Sequence, residues 1–360
     1  MLQEPFYDPT KSYEENYASG PFGAFADALS SEATASGAKE EPSFDFHDHK
    51  VYAPFGIPPG PLLNSNFVRA AFEKGFDICV YKTVRSNTFP CHPFPNVLAV
   101  KLDGDLTMEK LKNPVTANAT YNEPLSITNS FGVPSRDPDF WQEDAKKAID
   151  YAGKGQVMVL SFMGTVKENQ TQAEFIADFG LAARLAHETG AKVLEANLSC
   201  PNIGNEGLVC YNLDVTRAVC EAIRNVIGNT PFVIKIGYFT DQDQLEKLTK
   251  IANEYADDVA AINTLAATVV DDSGNQALPG KNRLKSGVCG AGIKWAGLDM
   301  VKRLKAIKDE KGYRFSITGV GGVMTPEDYL DYRSAGADVV MSATGAMWNP
   351  YLAEEIKASV

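Results

Sequence analysis

Residues 314–346 read RFSITGVGGVMTPEDYLDYRSAGADVVMSATGA. The run from Arg314 to Thr318 predicts a strand, the glycines after it a tight turn, and Thr325-Pro326-Glu327-Asp328 a helix start, because proline and acidic side chains suit a first helical turn. A second apolar run, Asp338 to Ser342, predicts the next strand, which ends in Ser342-Ala-Thr-Gly-Ala. One stretch therefore carries a whole strand–helix–strand repeat.

The same alternation extends back through the chain. Strands are predicted over Ile78–Val84, Val157–Phe162, Val193–Leu198, Phe232–Ile236 and Val259–Asn263, in mostly apolar runs of the kind that both-face burial demands. Between these runs lie segments of helical period, among them TQAEFIADFGLAARLAHETG and DQDQLEKLTKIANEYA, with capping or acidic residues near the start. Repeating βα units fit a closed barrel or an open doubly wound sheet. Polar and glycine residues at the strand ends separate the two: Lys82-Thr83, Gly164-Thr165, Ser199-Cys200, Lys235 and Gly237, Asn263-Thr264, Gly321-Gly322 and Thr344. In a barrel these ends meet at one face around one ligand, whereas an open sheet strings them along a crevice. The expected fold is an α/β (β/α)8 TIM barrel.

At 360 residues the chain can form one large domain, so the expected division is an N-terminal extension, residues 1–45, and a barrel, residues 46–360. Residues 1–45 are rich in Ser, Ala, Gly, Glu and Asp and lack sustained periodicity, which predicts a peripheral arm with a short helix and no assigned chemistry. The formal net charge of -12 excludes nucleic acid as an expected partner, since phosphate backbones need a basic face. Any anionic ligand must then be held by local charges. Six cysteines without zinc-ligand spacing, no basic-then-apolar leader and no long apolar run lead to expectations of reduced thiols, a cytoplasmic location and no membrane span.

Two segments carry chemistry. The glycine turn at 321–322 and the loop after Ser342 follow the last two predicted strands, where barrels commonly hold a phosphate on backbone N–H groups. Either motif alone would mean only a tight turn; their pairing points to phosphate. The second segment, Glu195-Ala-Asn-Leu-Ser-Cys-Pro-Asn202, puts a thiol just past a buried strand between two asparagines. A free cysteine is most often a small buried hydrophobe, the reading given to Cys79, Cys91 and Cys220, but polar company makes Cys200 a candidate base or nucleophile.

The segment Asn197-Leu-Ser-Cys-Pro-Asn202 resembles the active site of class 1 dihydroorotate dehydrogenases, in which the cysteine is the base. The resemblance continues in register through Gly60, Lys82, Ile127-Thr-Asn-Ser-Phe-Gly-Val-Pro, Lys235, Ile262-Asn-Thr, Gly290, Gly321-Gly322 and Thr344. It implies an FMN-dependent oxidation of dihydroorotate to orotate in de novo pyrimidine biosynthesis, with Cys200 as base and flavin as hydride acceptor. Lys82, Asn129, the backbone of Gly132 and Val133, Asn197, Asn202, Asn263 and Thr264 would contact the pyrimidine. Gly60, Lys82, Thr83, Asn197 and Lys235 would contact the flavin ring, and Gly290, Gly321, Gly322 and Thr344 its ribityl-phosphate end. Lys82 and Lys235 could be ordinary surface lysines, but each lies in an apolar strand run, where a lone buried charge is costly.

The sequence departs from the family's pattern at Pro58-Pro59, Val84, Cys289 and Ala343, the first two near the expected flavin and pyrimidine. The loop from Ile203 to Cys210 loosely resembles that of dihydropyrimidine dehydrogenase, so a uracil and thymine reductase is the alternative, followed by a non-catalytic FMN-binding barrel. A phosphosugar lyase or isomerase ranks last. The resemblance also implies a homodimer and a soluble electron acceptor, either fumarate or a separate NAD-linked electron-transfer subunit. His47 and His49 lack a third ligand and read as a solvated turn, while His92 and His187 read as structural or exposed; no metal site is expected.

Overall fold

The apolar runs become strands because both their faces are covered. The computed structural model describes residues 2–30, 41–200, 207–281 and 283–360. Its main sheet has eight strands: β1 Phe55–Ile57, β2 Ile78–Val84, β3 Val157–Phe162, β4 Val193–Asn197, β5 Phe232–Ile236, β6 Asp258–Ala261, β7 Ser316–Val320 and β8 Val339–Met341. Each pairs in parallel with its neighbours in chain order, and β8 closes the ring on β1. This is the expected (β/α)8 barrel. Every residue of β2 and β3 is buried, which is why they read as continuous apolar runs.

β1 has no counterpart among the predicted strands. Its three residues lie between Pro54 and Pro58, too short for any period to show, and Gly56 packs so tightly that a Cβ there would sit 2.0 Å from the Ile78 carbonyl oxygen. The predicted ends of β4, β6, β7 and β8 differ from the observed ones by one or two residues.

The outer helices are α1 Ser65–Glu73, α2 Pro138–Asp150, α3 Gln172–His187, α4 Leu213–Ile227, α5 Gln242–Tyr255, α6 Lys294–Lys311, α7 Pro326–Ala335 and α8 Leu352–Lys357. Reciprocal capping boxes start α3 (Thr171 with Glu174) and α7 (Thr325 with Asp328), each cap contributing about 1 kcal/mol. Among the described residues no helix is long and apolar enough to cross a membrane.

Two additions close the barrel's ends. Strands Val97–Val100, Val115–Asn118 and Ser126–Asn129, inserted after β2, join Leu265–Val270 and Lys285–Gly290, inserted after β6, in a second closed five-stranded sheet beside the barrel's C-terminal mouth. At the other end a hairpin, Phe44–Phe46 and His49–Val51, packs Phe46 and Val51 against the inward-facing Val80, Val159, Val193 and Val233. His47 is therefore not in a solvated turn: its side chain is 7% exposed and Nε2 lies 3.8 Å from an Asp258 carboxylate oxygen.

Residues 2–30 do more than flank the barrel. Phe6, Tyr7, Tyr13 and Phe25 are buried in the same apolar cluster as Phe67 and Phe76, and Phe6 N–H donates to the Met347 carbonyl at 3.1 Å. Two short helices, Tyr13–Ser19 and Ala24–Ser30, replace the single one expected.

Candidate active site

A cavity of about 930 Å³ opens where the C-terminal strand ends meet the five-stranded sheet. β2 brings Lys82 and Thr83 to its wall, β4 Asn197, β5 Lys235, the loop after β6 Asn263 and Thr264, and the loop after β8 Thr344. The second sheet adds Asn129, Ser286 and Cys289, the following loop Gly132 and Val133, and the N-terminal segment Tyr7.

Lys82 and Lys235 point inward from strands, so both charges are buried, at 5% and 3% exposure. The Lys82 ammonium donates to the Gly60 carbonyl at 3.2 Å and lies 5.0 Å from the centre of the Phe131 ring. It has no carboxylate within ion-pair distance among the described residues, and burial pushes its pKa down to about 8. Burial also lowers Lys235 and raises Glu195, each opposed by the charge of the other, while Glu195 accepts from the Ser161 hydroxyl at 3.0 Å.

The asparagines are held by short local networks. Asn197 Oδ1 accepts from Ser199 N–H at 3.2 Å and Ser199 Oγ at 2.9 Å, and that hydroxyl accepts from Asn263 Nδ2 at 2.7 Å. Ser199 thus fixes one edge of each amide and leaves the other for a ligand. Opposite, Asn129 Nδ2 and the Thr344 hydroxyl both donate to Cys289 Sγ at 3.5 Å.

Cys200 follows β4 but is covered, at 2% exposure, and does not line the cavity, although Ser199 beside it does. Burial pushes its thiol up to about 12, opposed by the positive charge of Arg85. Its carbonyl accepts from Val209 N–H at 3.0 Å, which fixes the far end of the loop. Asn202 and residues 203–206 lie outside the described residues.

At the opposite end, Gly321 (φ +126°) and Gly322 (φ +70°) adopt left-handed backbone that other residues rarely take, which forms the turn after β7. The Ser342 hydroxyl donates to the Val323 carbonyl at 2.6 Å, tying the loop after β8 to that turn. Val320, Ala343 and Thr344 reach the cavity wall, and Gly290 and Gly321-Gly322 follow directly on the lining residues Cys289 and Val320.

The structure thus gathers Gly60, Lys82, Thr83, Asn129, Gly132, Val133, Asn197, Lys235, Asn263, Thr264 and Thr344 around one cavity and sets Cys200, Gly290, Gly321 and Gly322 back from it. Sequence reasoning missed Tyr7, Tyr211, Tyr238 and Ser286, named Ser199 only as a strand-end polar residue, and assigned His92, which lines the wall, a structural or exposed place. Ser199 lay inside the quoted motif; nothing in the aperiodic arm signalled Tyr7.

The family model for dihydroorotate dehydrogenase matches residues 111–360. Over its whole length the chain is similar to the dihydroorotate dehydrogenase of Dictyostelium discoideum, 37% identical across 98% of this chain and 96% of that protein. It is also similar to the NAD(+)-type dihydroorotate dehydrogenase B catalytic subunit of Staphylococcus carnosus, 30% identical across 49% of this chain and 55% of the relative. The fumarate-type dihydroorotate dehydrogenase of Trypanosoma brucei brucei is 26% identical across 62% of this chain and 68% of its own.

Proposed function

This chain belongs to the dihydroorotate dehydrogenase family, and on that premise we propose that it oxidises dihydroorotate to orotate with bound FMN, Cys200 serving as the base. The supporting observation is that Lys82, Asn129, Asn197, Lys235, Asn263 and Thr344, from six separate segments, line a single cavity. The catalytic unit of this reading starts with the hairpin strand Phe44–Phe46, two residues ahead of the expected boundary, and the segment before it contributes Tyr7 to the wall.

The residues present suit a flavin mononucleotide. The cavity volume is that of a cofactor-sized site, about 300–1,000 Å³ in general. Two buried ammonium groups face it in a chain of net charge -12, and Lys82 lacks a carboxylate partner among the described residues. An anionic ligand would restore the charge that burial suppresses. Lys235 would hold the polar edge of the ring, with Gly60, Thr83 and Asn197 around it. Thr344 and the turns at Gly290, Gly321 and Gly322 would hold the phosphate end. FMN, when bound, supplies the hydride acceptor.

The chain's own groups do the rest. Asn129, Asn197, Asn202, Asn263 and Thr264 pair with the planar pyrimidine, and Lys82 and the Gly132 and Val133 amides receive its carboxylate. Cys200 takes the proton from one ring carbon as hydride leaves its neighbour, and the electron pair of the broken C–H bond forms the new double bond. Either fumarate or an NAD-linked subunit then removes the electrons; the names of the relatives support both.

Anaerobic addition of dihydroorotate to the FMN-loaded protein tests the reading. Bleaching of the flavin band is the expected result. A yellow protein that stays yellow, with a spectrum perturbed by uracil instead of orotate, transfers the site to a dihydropyrimidine. Failure to bind FMN overturns the whole proposal.

A further inference from the structure

Arg85 follows directly on β2 and is 5% exposed. Among the described residues no carboxylate lies within ion-pair distance of it. Its guanidinium instead donates to four oxygens: Nε to the Val133 carbonyl at 2.9 Å, Nη2 to the Gly132 carbonyl at 3.1 Å, and Nη1 to the Gly164 carbonyl at 3.2 Å and the Thr165 hydroxyl at 3.1 Å. The Phe89 ring lies 4.1 Å from its central carbon. Main-chain bonds to Ser135 Oγ and from Trp141 Nε1, each 3.1 Å, anchor the residue itself. A buried cation spent on neutral acceptors is expensive unless it does something more.

What it holds is unusual. Gly132 and Val133 are both left-handed, φ +77° and +52°, a conformation that strains a β-branched side chain by about 1–3 kcal/mol. A peptide unit points its C=O and N–H in opposite directions. With the Gly132 carbonyl turned to Arg85, the Val133 N–H turns away from it. The Phe131 carbonyl accepts from His92 N–H at 3.0 Å, so the Gly132 N–H turns away from that side too. Neither amide has an acceptor among the described residues, and both residues line the cavity.

We propose that Arg85 is a positioning residue for the substrate's carboxylate: by taking the Gly132 carbonyl it turns the Val133 N–H toward the cavity, beside the Gly132 N–H set by the His92–Phe131 bond, while its bond to the Val133 carbonyl, which precedes Pro134, braces the left-handed residue. The inference rests on the function proposed above and deepens it. A guanidinium on the carbonyl side also polarises the peptide and strengthens the amide as a donor on the other. The positive charge of Arg85 also acts on the Cys200 thiol, opposing the effect of burial. Arg85 thus links the group that holds the substrate to the group that deprotonates it.

The test compares FMN-loaded wild type with Arg85→Met, Arg85→Lys and Arg85→Gln. The readouts are orotate affinity from flavin absorbance, KM and kcat for dihydroorotate, and the pH dependence of Cys200 alkylation by iodoacetamide. Arg85→Met is expected to weaken orotate about tenfold or more and to shift alkylation to higher pH. Arg85→Lys keeps the charge and loses the fork, so its orotate affinity falls while its alkylation profile stays near wild type. If Arg85→Met does not retain FMN, Arg85→Gln carries the affinity arm. Variants that hold FMN with unchanged orotate affinity and alkylation profile overturn the inference. A wild type that dihydroorotate does not bleach overturns the function instead.

Discussion

The two ends of the barrel are built from the same inward-facing rows and filled in opposite ways. Along β2 the row runs Ile78, Val80, Lys82; along β4 Val193, Glu195, Asn197; along β5 Val233, Lys235. The first members pack with Phe46 and Val51 in a dry floor, and the last members line the cavity. A step of two residues along β2 and β5, and of four along β4, separates groups that hold the fold from groups that line the cavity. Stability and chemistry should therefore respond to different substitutions only a few ångströms apart.

Removing the proposed base is the strongest way to test that separation. Cys200→Ala should slow the bleaching of the flavin by dihydroorotate about 10³-fold while leaving FMN content unchanged, as stopped-flow absorbance would record. Next comes Lys82→Met, which should weaken orotate about 10²-fold yet melt no lower than wild type, because it removes a buried ammonium that has no ion-pair partner among the described residues. A fall in melting temperature there would mean that the upper layer also supports the fold. Val159→Ala, in the floor, reverses the pattern: about 2 kcal/mol of stability is lost by denaturant titration while kcat stays constant. A changed kcat would show that the two layers are coupled.

A further test of the upper layer alone is in pH. In its proposed role the Cys200 thiol, pushed up to about 12, acts only after losing its proton, so kcat should climb about tenfold per pH unit from 7 to 9 without a plateau. A free thiol with its ordinary value near 8.5 would instead level off in that range. Lys82, pushed down to about 8, loses charge over the same interval, so KM for dihydroorotate should rise above pH 8 while kcat increases. Steady-state profiles of both constants separate the two groups.

How far the sequence could be read follows the same division. Strands buried on both faces announce themselves as apolar runs, so seven of the eight barrel strands were visible and only Phe55–Ile57 was too short. The second sheet was invisible because its strands either alternate or are only four residues long: Leu265–Val270 has every other residue buried, a weak signal in six residues, and Ser126–Asn129 is too short to show a run. In the site, charges within apolar runs marked Lys82 and Lys235, and the glycine turn marked the far end. Tyr7 and the Arg85 clamp depend on contacts between distant segments, which no local pattern carries. The burial of His47 was missed for the same reason, since Asp258 is its neighbour only in space.

The hairpin beneath the barrel also governs traffic. Among the described residues valines and the hairpin fill the lower half, and the cavity opens on the side of the second sheet, so reactants enter and leave there. A shared doorway makes a queue: orotate has to depart before a small oxidant can reach the same chamber. Initial-rate plots against dihydroorotate at several fumarate concentrations should then give parallel lines, and orotate should compete with the oxidant for entry.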